Sequence, residues 1–167
     1  MVRVLGAFSA ACLLAGCQMG PVSPIEAKFD RRAAEYVNKS GKGRIAGEAF
    51  LRRDQGRLVT AAGERVFLIP ATPYAVERFE RMFGGDRRSY YGNAVDEPPD
   101  DYLSLRRETK VDMRGRFSFE NLASGRYIVA TRVFWTEPRS FFTHGGAMYD
   151  VVDVRDDETT TAIISGK

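Results

Sequence analysis

Cysteine and histidine are scarce in this chain: its 167 residues include two cysteines, Cys12 and Cys17, and one histidine, His144. A zinc site takes three or four ligands from His, Cys and carboxylate side chains, so a single histidine argues against zinc. Beyond Cys17 the chain has no thiol, so it cannot form a disulfide there. We therefore predict no metal, no cofactor and no redox chemistry, and a domain stabilised by its core alone.

The chain also lacks an apolar run long enough to cross a bilayer, which takes about 20 residues. The apolar run at residues 4–16 is shorter, follows the positively charged Arg3 and ends in small residues. This pattern is typical of a secretory signal peptide. We predict a signal peptide at residues 1–16.

The residues at the end of this run, Leu14-Ala15-Gly16-Cys17, resemble the lipobox of bacterial lipoprotein precursors. The resemblance implies cleavage before Cys17 and lipid attachment to its thiol, and two or three acyl chains give stable membrane anchoring. Gln18, rather than Asp, follows the cysteine, which by resemblance to enterobacterial sorting favours the outer membrane, with the domain facing the periplasm. The alternative is a plain signal peptide with an incidental cysteine.

A strong excess of one charge is absent as well. The chain has 25 basic and 22 acidic side chains, a formal net charge of +3. Nucleic-acid binding usually goes with a concentrated basic surface, so this balance and an exported location predict no nucleic-acid partner.

Residues 17–43 read as a lipid-anchored tether, with a possible short helix between residues 25 and 37, and residues 44–167 as one β-rich domain. Apolar residues alternate with polar ones along the strands, so that Phe117 and Phe119 should face the core and Ser118 the solvent. The predicted strands lie at residues 45–51, 65–69, 103–111, 116–120, 125–135, 148–154 and 159–164. Seven short strands separated by turn residues predict a β-sandwich.

An insertion at residues 72–102 interrupts this pattern. Thr72 can cap a helix, Pro73 suits its first turn, and Gly84-Gly85 ends it. We predict a helix over residues 72–83, followed by a polar stretch.

The residues Asp112-x-x-Gly115-x-Phe117-x-Phe119, followed by Leu122-x-x-Gly125-x-Tyr127, resemble the signature of carboxypeptidase regulatory-like domains. The resemblance covers most of residues 44–165 and leaves the insertion unmatched. It implies an all-β, seven-stranded, transthyretin-like (prealbumin-like) Greek-key sandwich without catalytic residues of its own. Within the motif, Gly125 can adopt a positive φ, and Tyr127 occupies the position of a tyrosine corner.

No residue is predicted to be catalytic, and the chain is not expected to be an enzyme. His144 should lie in a loop, packed against Phe141 or Phe142. The Gly-x-Ser-x-Gly motif that surrounds the nucleophilic serine of many hydrolases is absent from the sequence. Acidic residues cluster at 153–158 and 96–101 without a calcium-loop pattern, so solvated turns are the simpler interpretation.

Two groupings are candidate contact surfaces. Arg87, Arg88, Tyr90 and Tyr91 combine side chains that are favoured at interfaces and could bind a glycan or an envelope protein. Phe134-Trp135 with Phe141-Phe142 could line a cleft. The alternatives are a solvated insertion for the first grouping and a second core layer for the other.

These observations favour a non-catalytic, lipid-anchored module that binds or braces another cell-envelope component. An accessory domain or small hydrolase with an unrecognised active site is one alternative. A structural spacer of an outer-membrane assembly is the other.

Overall fold

The computed structural model describes residues 22–53, 56–139 and 141–167. The predicted signal peptide and Cys17 lie outside these residues. The described part is mostly β, with nine strands: β1 (Ser40–Arg52), β2 (Leu58–Thr60), β3 (Arg65–Pro70), β4 (Arg88–Ser89), β5 (Arg107–Lys110), β6 (Arg116–Leu122), β7 (Gly125–Thr136), β8 (Thr143–Val154) and β9 (Thr159–Ile164). The helices are α1 (Arg31–Ala34), a following 3-10 turn (Glu35–Asn38), α2 (Pro73–Phe83) and α3 (Asp100–Ser104). No helix in the described part is long and apolar enough to cross a membrane.

The strands form two sheets that enclose the core. In the first sheet β1 is central: β6 and β2 pair antiparallel with successive parts of it, and β9 pairs parallel with it. The second sheet has the order β4-β8-β7-β3-β5 and is antiparallel throughout. Nine strands therefore replace the predicted seven within the described residues, because β2 and β4 are too short to show an alternating pattern.

The predicted face of β6 is confirmed. Phe117 and Phe119 are buried between the sheets, with ring centroids 6.2 Å apart, whereas Arg116, Ser118 and Glu120 are exposed. Asp112–Gly115 forms the turn before β6, since the Gly115 N–H donates to the carbonyl of Asp112 and Gly115 adopts a φ of 86°.

Tyr127 makes a tyrosine-corner contact, because its hydroxyl donates to the carbonyl of Ala123 at 2.9 Å. The prediction of a positive φ at Gly125 is wrong: the residue with a positive φ nearby is Asn121, close to the end of β6, with a φ of 55°. Gly125 has a different role: a Cβ there would lie 2.7 Å from the ring of Tyr36. Glycine therefore allows Tyr36 to pack directly on the start of β7.

The insertion contains the predicted helix. The Thr72 hydroxyl accepts from the Ala75 N–H, Pro73 opens the helix, and Gly84 ends it with a φ of 66°. Helix α2 covers the outer face of the second sheet, where Phe79 and Phe83 pack on Tyr149.

The strand predicted at residues 103–111 is shorter than expected. Leu103 lies in α3 and is exposed, Leu105 is buried just beyond this helix, and β5 spans only Arg107–Lys110. Alternating leucines two residues apart matched a strand, but the acidic first turn at Asp100 and Asp101 begins a short helix instead.

The segment predicted as a tether, residues 17–43, packs on the domain from residue 22 onwards. Val37 is buried in the main core, and Phe29 contacts the second cluster through Tyr74 and Tyr102. The Tyr36 hydroxyl donates to the carbonyl of Arg126 and accepts from the Ala71 N–H. The domain boundary thus differs from residue 44: β1 begins at Ser40, and residues 22–39 belong to the packed structure.

Candidate functional site

The end of β1, the end of β7, the start of β8 and strand β4 of the insertion meet and form a cleft of about 700 Å³. We call it the arginine cleft. Its lining residues are Arg52, Arg53, Arg57, Arg88, Tyr90, Trp135, Glu137, Thr143, His144 and Gly145.

Two stacked rings form the aromatic part of the cleft. Trp135 on β7 and His144 on β8 are directly opposite in register, so their side chains lie on the same face. Their ring centroids are 5.8 Å apart and the planes differ by 18°. His144 is therefore in a strand and stacks on Trp135, which corrects the prediction of a loop histidine packed on Phe141 or Phe142. The predicted loop is shorter because β7 and β8 extend to Thr136 and Thr143.

Glu137 connects this aromatic pair with the basic residues. Its carboxylate pairs with the Arg53 guanidinium and accepts a hydrogen bond from the Trp135 indole N–H at 3.3 Å. The Arg53 guanidinium also lies over the Trp135 ring, 5.9 Å from its centroid. These contacts fix the orientation of the indole and of one arginine.

The remaining arginines of the cleft make fewer hydrogen bonds and ion pairs. Arg52 makes one long hydrogen bond, 3.4 Å, to the carbonyl of Gly56. Arg57 and Arg88 are exposed, and their side chains form no ion pair with any described residue. Among the residues that the structure describes, the cleft is thus lined by four guanidinium groups and one carboxylate.

A second aromatic group borders the cleft on its outer side. The Tyr90 ring packs edge-on against Tyr91 at 4.4 Å and against Phe134 at 5.6 Å between centroids. Tyr91 is 93% exposed. Gly146 permits this arrangement, because a Cβ at its position would lie 2.6 Å from the Ser89 carbonyl oxygen of β4.

The structure brings together part of the predicted contact surface. Arg88 and Tyr90 line the cleft and Tyr91 lies beside it, but Arg87 turns away and stacks on Tyr149 at 4.7 Å, next to α2. Of the second predicted grouping, Trp135 lines the cleft, whereas Phe134, Phe141 and Phe142 are absent from its described lining. The alternative of a second core layer is wrong for Phe141 and Phe142, whose side chains are 101% and 77% exposed.

Sequence reasoning missed Arg52, Arg53, Arg57 and Glu137. The available signal was the basic end of a predicted strand, Arg52-Arg53, followed closely by Arg57. Nothing in the sequence indicated that this end would meet Trp135, because the two are more than 80 residues apart.

A second cleft, of about 740 Å³, lies on the outer face of the first sheet. It is larger but chemically plainer: Arg44 and Arg116 on its walls pair with Glu120 and Asp112, and no exposed aromatic ring lines it. Hydrogen bonds from the Arg116 and Arg114 N–H groups lower the pKa of Asp112 and stabilise the turn. We therefore take the arginine cleft as the candidate site.

The described residues contain no group of three or more His, Cys, Asp or Glu side chains that could hold a metal ion. The acidic stretches at 96–101 and 153–158 instead make ordinary surface contacts, such as Asp101 with Arg31 and Asp157 with Lys42.

Comparison with known proteins finds a solved structure of similar fold. No protein-family model matches the chain, and no curated protein matches it. Among solved structures, a protein from Pseudomonas aeruginosa described as a "putative carbohydrate binding protein" is similar, with a TM-score of 0.67 and 22% identity. The similarity covers 83% of this chain and 98% of that one. At this identity the likeness establishes a shared β-sandwich fold.

Proposed function

We propose that this chain is a non-catalytic, lipid-anchored protein of the bacterial envelope, and that its arginine cleft binds an envelope saccharide. The observation that carries the proposal is the joint presence of accessible aromatic rings and unpaired guanidinium groups in one cleft. The description of the Pseudomonas aeruginosa protein of similar fold supports the choice of a saccharide.

The chemistry of the cleft suits a sugar ring. A pyranose has an apolar face of C–H groups and an edge of hydroxyl groups. The apolar face can pack on the exposed ring of Tyr90, while the hydroxyls accept hydrogen bonds from guanidinium groups or donate to Glu137. Such sites combine an apolar surface with a few fixed polar groups, and Glu137 supplies the fixed orientation.

Binding is favoured over hydrolysis by the partners of the titratable groups. A hydrolase at His144 would need a carboxylate to orient the imidazole or a pair of free carboxylates. Among the described residues that line the cleft, Glu137 is the one carboxylate, and it is already engaged by Arg53 and Trp135. His144 is stacked flat on the indole.

A glycan array probed with the full-length protein in detergent tests the proposal. We expect binding to a defined set of saccharides, weakened at least tenfold by the double variant Tyr90→Ala, Tyr91→Ala, because interface aromatics commonly contribute about 2 kcal/mol or more. Met113→Ala is the matched control, since Met113 is 87% exposed at the Asp112–Gly115 turn. Absence of binding to every saccharide, or binding that the tyrosine variant leaves intact, would reject this site.

A further inference from the structure

We propose that the saccharide held by the arginine cleft is acidic, with carboxylate groups along its chain, as in a polyuronate. This inference rests on the proposed function and specifies its ligand class. It follows from the charge of the cleft and from the way its arginines are paired.

The cleft brings together three arginines, Arg52, Arg57 and Arg88, that have no carboxylate partner among the described residues. Elsewhere on the described surface, some exposed arginines have a carboxylate within 4 Å: Arg31, Arg44, Arg65, Arg81, Arg116, Arg132 and Arg155. Others are exposed without such a partner: Arg32, Arg106, Arg114, Arg126 and Arg139. In the cleft, Arg53 alone is paired with a carboxylate. Arg52, Arg57 and Arg88 leave most of their donors available.

This arrangement gives the cleft a net positive charge. Its described lining holds four guanidinium groups and one carboxylate. Asp54, which lies outside the described residues, would leave the sum positive wherever its side chain is. Like charges that line one cleft repel each other in the free protein, so an anionic ligand that neutralises them is favoured.

The geometry of the donors indicates the type of anion. A guanidinium presents a planar fork of N–H groups that matches the two oxygens of a carboxylate. Arg88 lies on β4 of the second sheet, and Arg57 lies in the loop before β2 of the first sheet. Two such forks, supplied by separate elements of one cleft, suit a chain that carries a carboxylate on successive sugars, with a sugar face on Tyr90.

Polygalacturonate and its fully methyl-esterified form provide a matched pair of probes, because they share a backbone and differ in charge. We expect the full-length protein in detergent to bind polygalacturonate at least tenfold more tightly than the ester, measured by titration calorimetry. Rising salt should reduce this difference, since ions screen exposed charges.

Variants assign the effect to the cleft. The double variant Arg57→Gln, Arg88→Gln should remove the preference for polygalacturonate while preserving weak binding to the ester. Arg155→Gln is the matched control: Arg155 is exposed at the far end of β8, about 40 Å along the strand from Thr143. It should bind like the unaltered protein.

The outcomes separate the two proposals. Equal binding of both polymers, weakened by Tyr90→Ala, would overturn the acidic ligand and leave saccharide binding intact. Absence of binding to both polymers, together with a blank glycan array, would overturn both proposals. Equally tight binding of polyphosphate through Arg57 and Arg88 would also overturn the inference, because it would show a general anion site in place of one for carboxylated sugars.

Discussion

The Trp135 indole and the His144 imidazole stack across two neighbouring strands, 5.8 Å apart between centroids. Together they form the aromatic part of the arginine cleft, and the hydrogen bond from the indole to Glu137 holds the indole in place. The stacked pair is the point at which the core of the protein becomes its candidate binding surface, since Trp135 also packs on the main core.

The stack predicts a difference between two variants of His144. His144→Phe should keep saccharide binding within about twofold, because a phenyl ring preserves the flat contact. His144→Ala should weaken binding roughly two- to tenfold, since an aromatic pair contributes about 0.5–1.5 kcal/mol. Calorimetric titration with a saccharide found on the array measures both. Equal loss in the two variants would show that the nitrogen atoms of His144, not its ring, make the contact.

Stability should follow the alternation of β6. Phe117→Ala and Phe119→Ala should each reduce the free energy of unfolding by about 3–5 kcal/mol, because each leaves a cavity between the sheets. Ser118→Ala, in the same strand and exposed, should change it by less than about 0.5 kcal/mol. Denaturant unfolding of the three variants provides the comparison. Similar losses for Ser118 and the phenylalanines would contradict the register.

Acid should release the N-terminal segment before it unfolds the sandwich. The backbone N–H groups of Ala27 and Glu26 donate to the Glu77 carboxylate at 2.7 and 3.0 Å, and these bonds lower the pKa of Glu77 below its usual value of 4.5. A lowered folded-state pKa means that the stabilisation is complete above pH 4.5 and is lost as the pH falls through the folded-state value.

The amide resonance of Ala27 reports this change. In the unaltered protein its chemical shift should titrate below pH 4.5, while that of Phe117 in the core stays constant. Glu77→Gln should abolish the titration and reduce the amide protection of Ala27 at neutral pH. A titration that persists in Glu77→Gln would assign it to another carboxylate.

Lipid anchoring is a prediction from the residues around Cys17. Cys17→Ser should transfer the protein from the membrane to the soluble fraction and abolish labelling by a fatty-acid probe, because the thiol is the predicted site of acylation. Cys12→Ser, within the predicted signal peptide, is the control and should leave both unchanged. Membrane association and labelling that survive Cys17→Ser would refute the anchor.

The sequence was informative where one face of a long element is buried. Alternation at Phe117 and Phe119 and the capped helix after Thr72 each express a local rule, and the structure follows both. The strand predicted from Leu103 and Leu105 did not form as expected, because a two-residue spacing of leucines also occurs in a short helix and the coil that follows it. The role of Gly125 was equally hidden, since it depends on Tyr36, which approaches from a distant part of the chain.

The sequence predicted only part of the candidate site, because the site too depends on contacts between distant parts of the chain. Arg88 and Tyr90 were found as a local cluster, but Arg52 and Trp135 meet only through the packing of the two sheets. The way in which distant strands pair and pack determines which of these residues become neighbours. The apolar periodicity within one strand carries no information about that pairing.

Strand β1 begins beside the N-terminal segment and ends at Arg52 in the cleft, so it would transmit any pull between an anchor and a bound ligand. Contacts of residues 22–39 can break one after another, which would lengthen the molecule by roughly 60 Å. Then β1 would be loaded along its axis, where β6 and β9 hold it on both sides and their hydrogen bonds share the load in shear. In a force-extension measurement we therefore expect two events. Residues 22–39 should detach in an early step at low force, and β1 should then separate from its neighbours in a single rupture at high force.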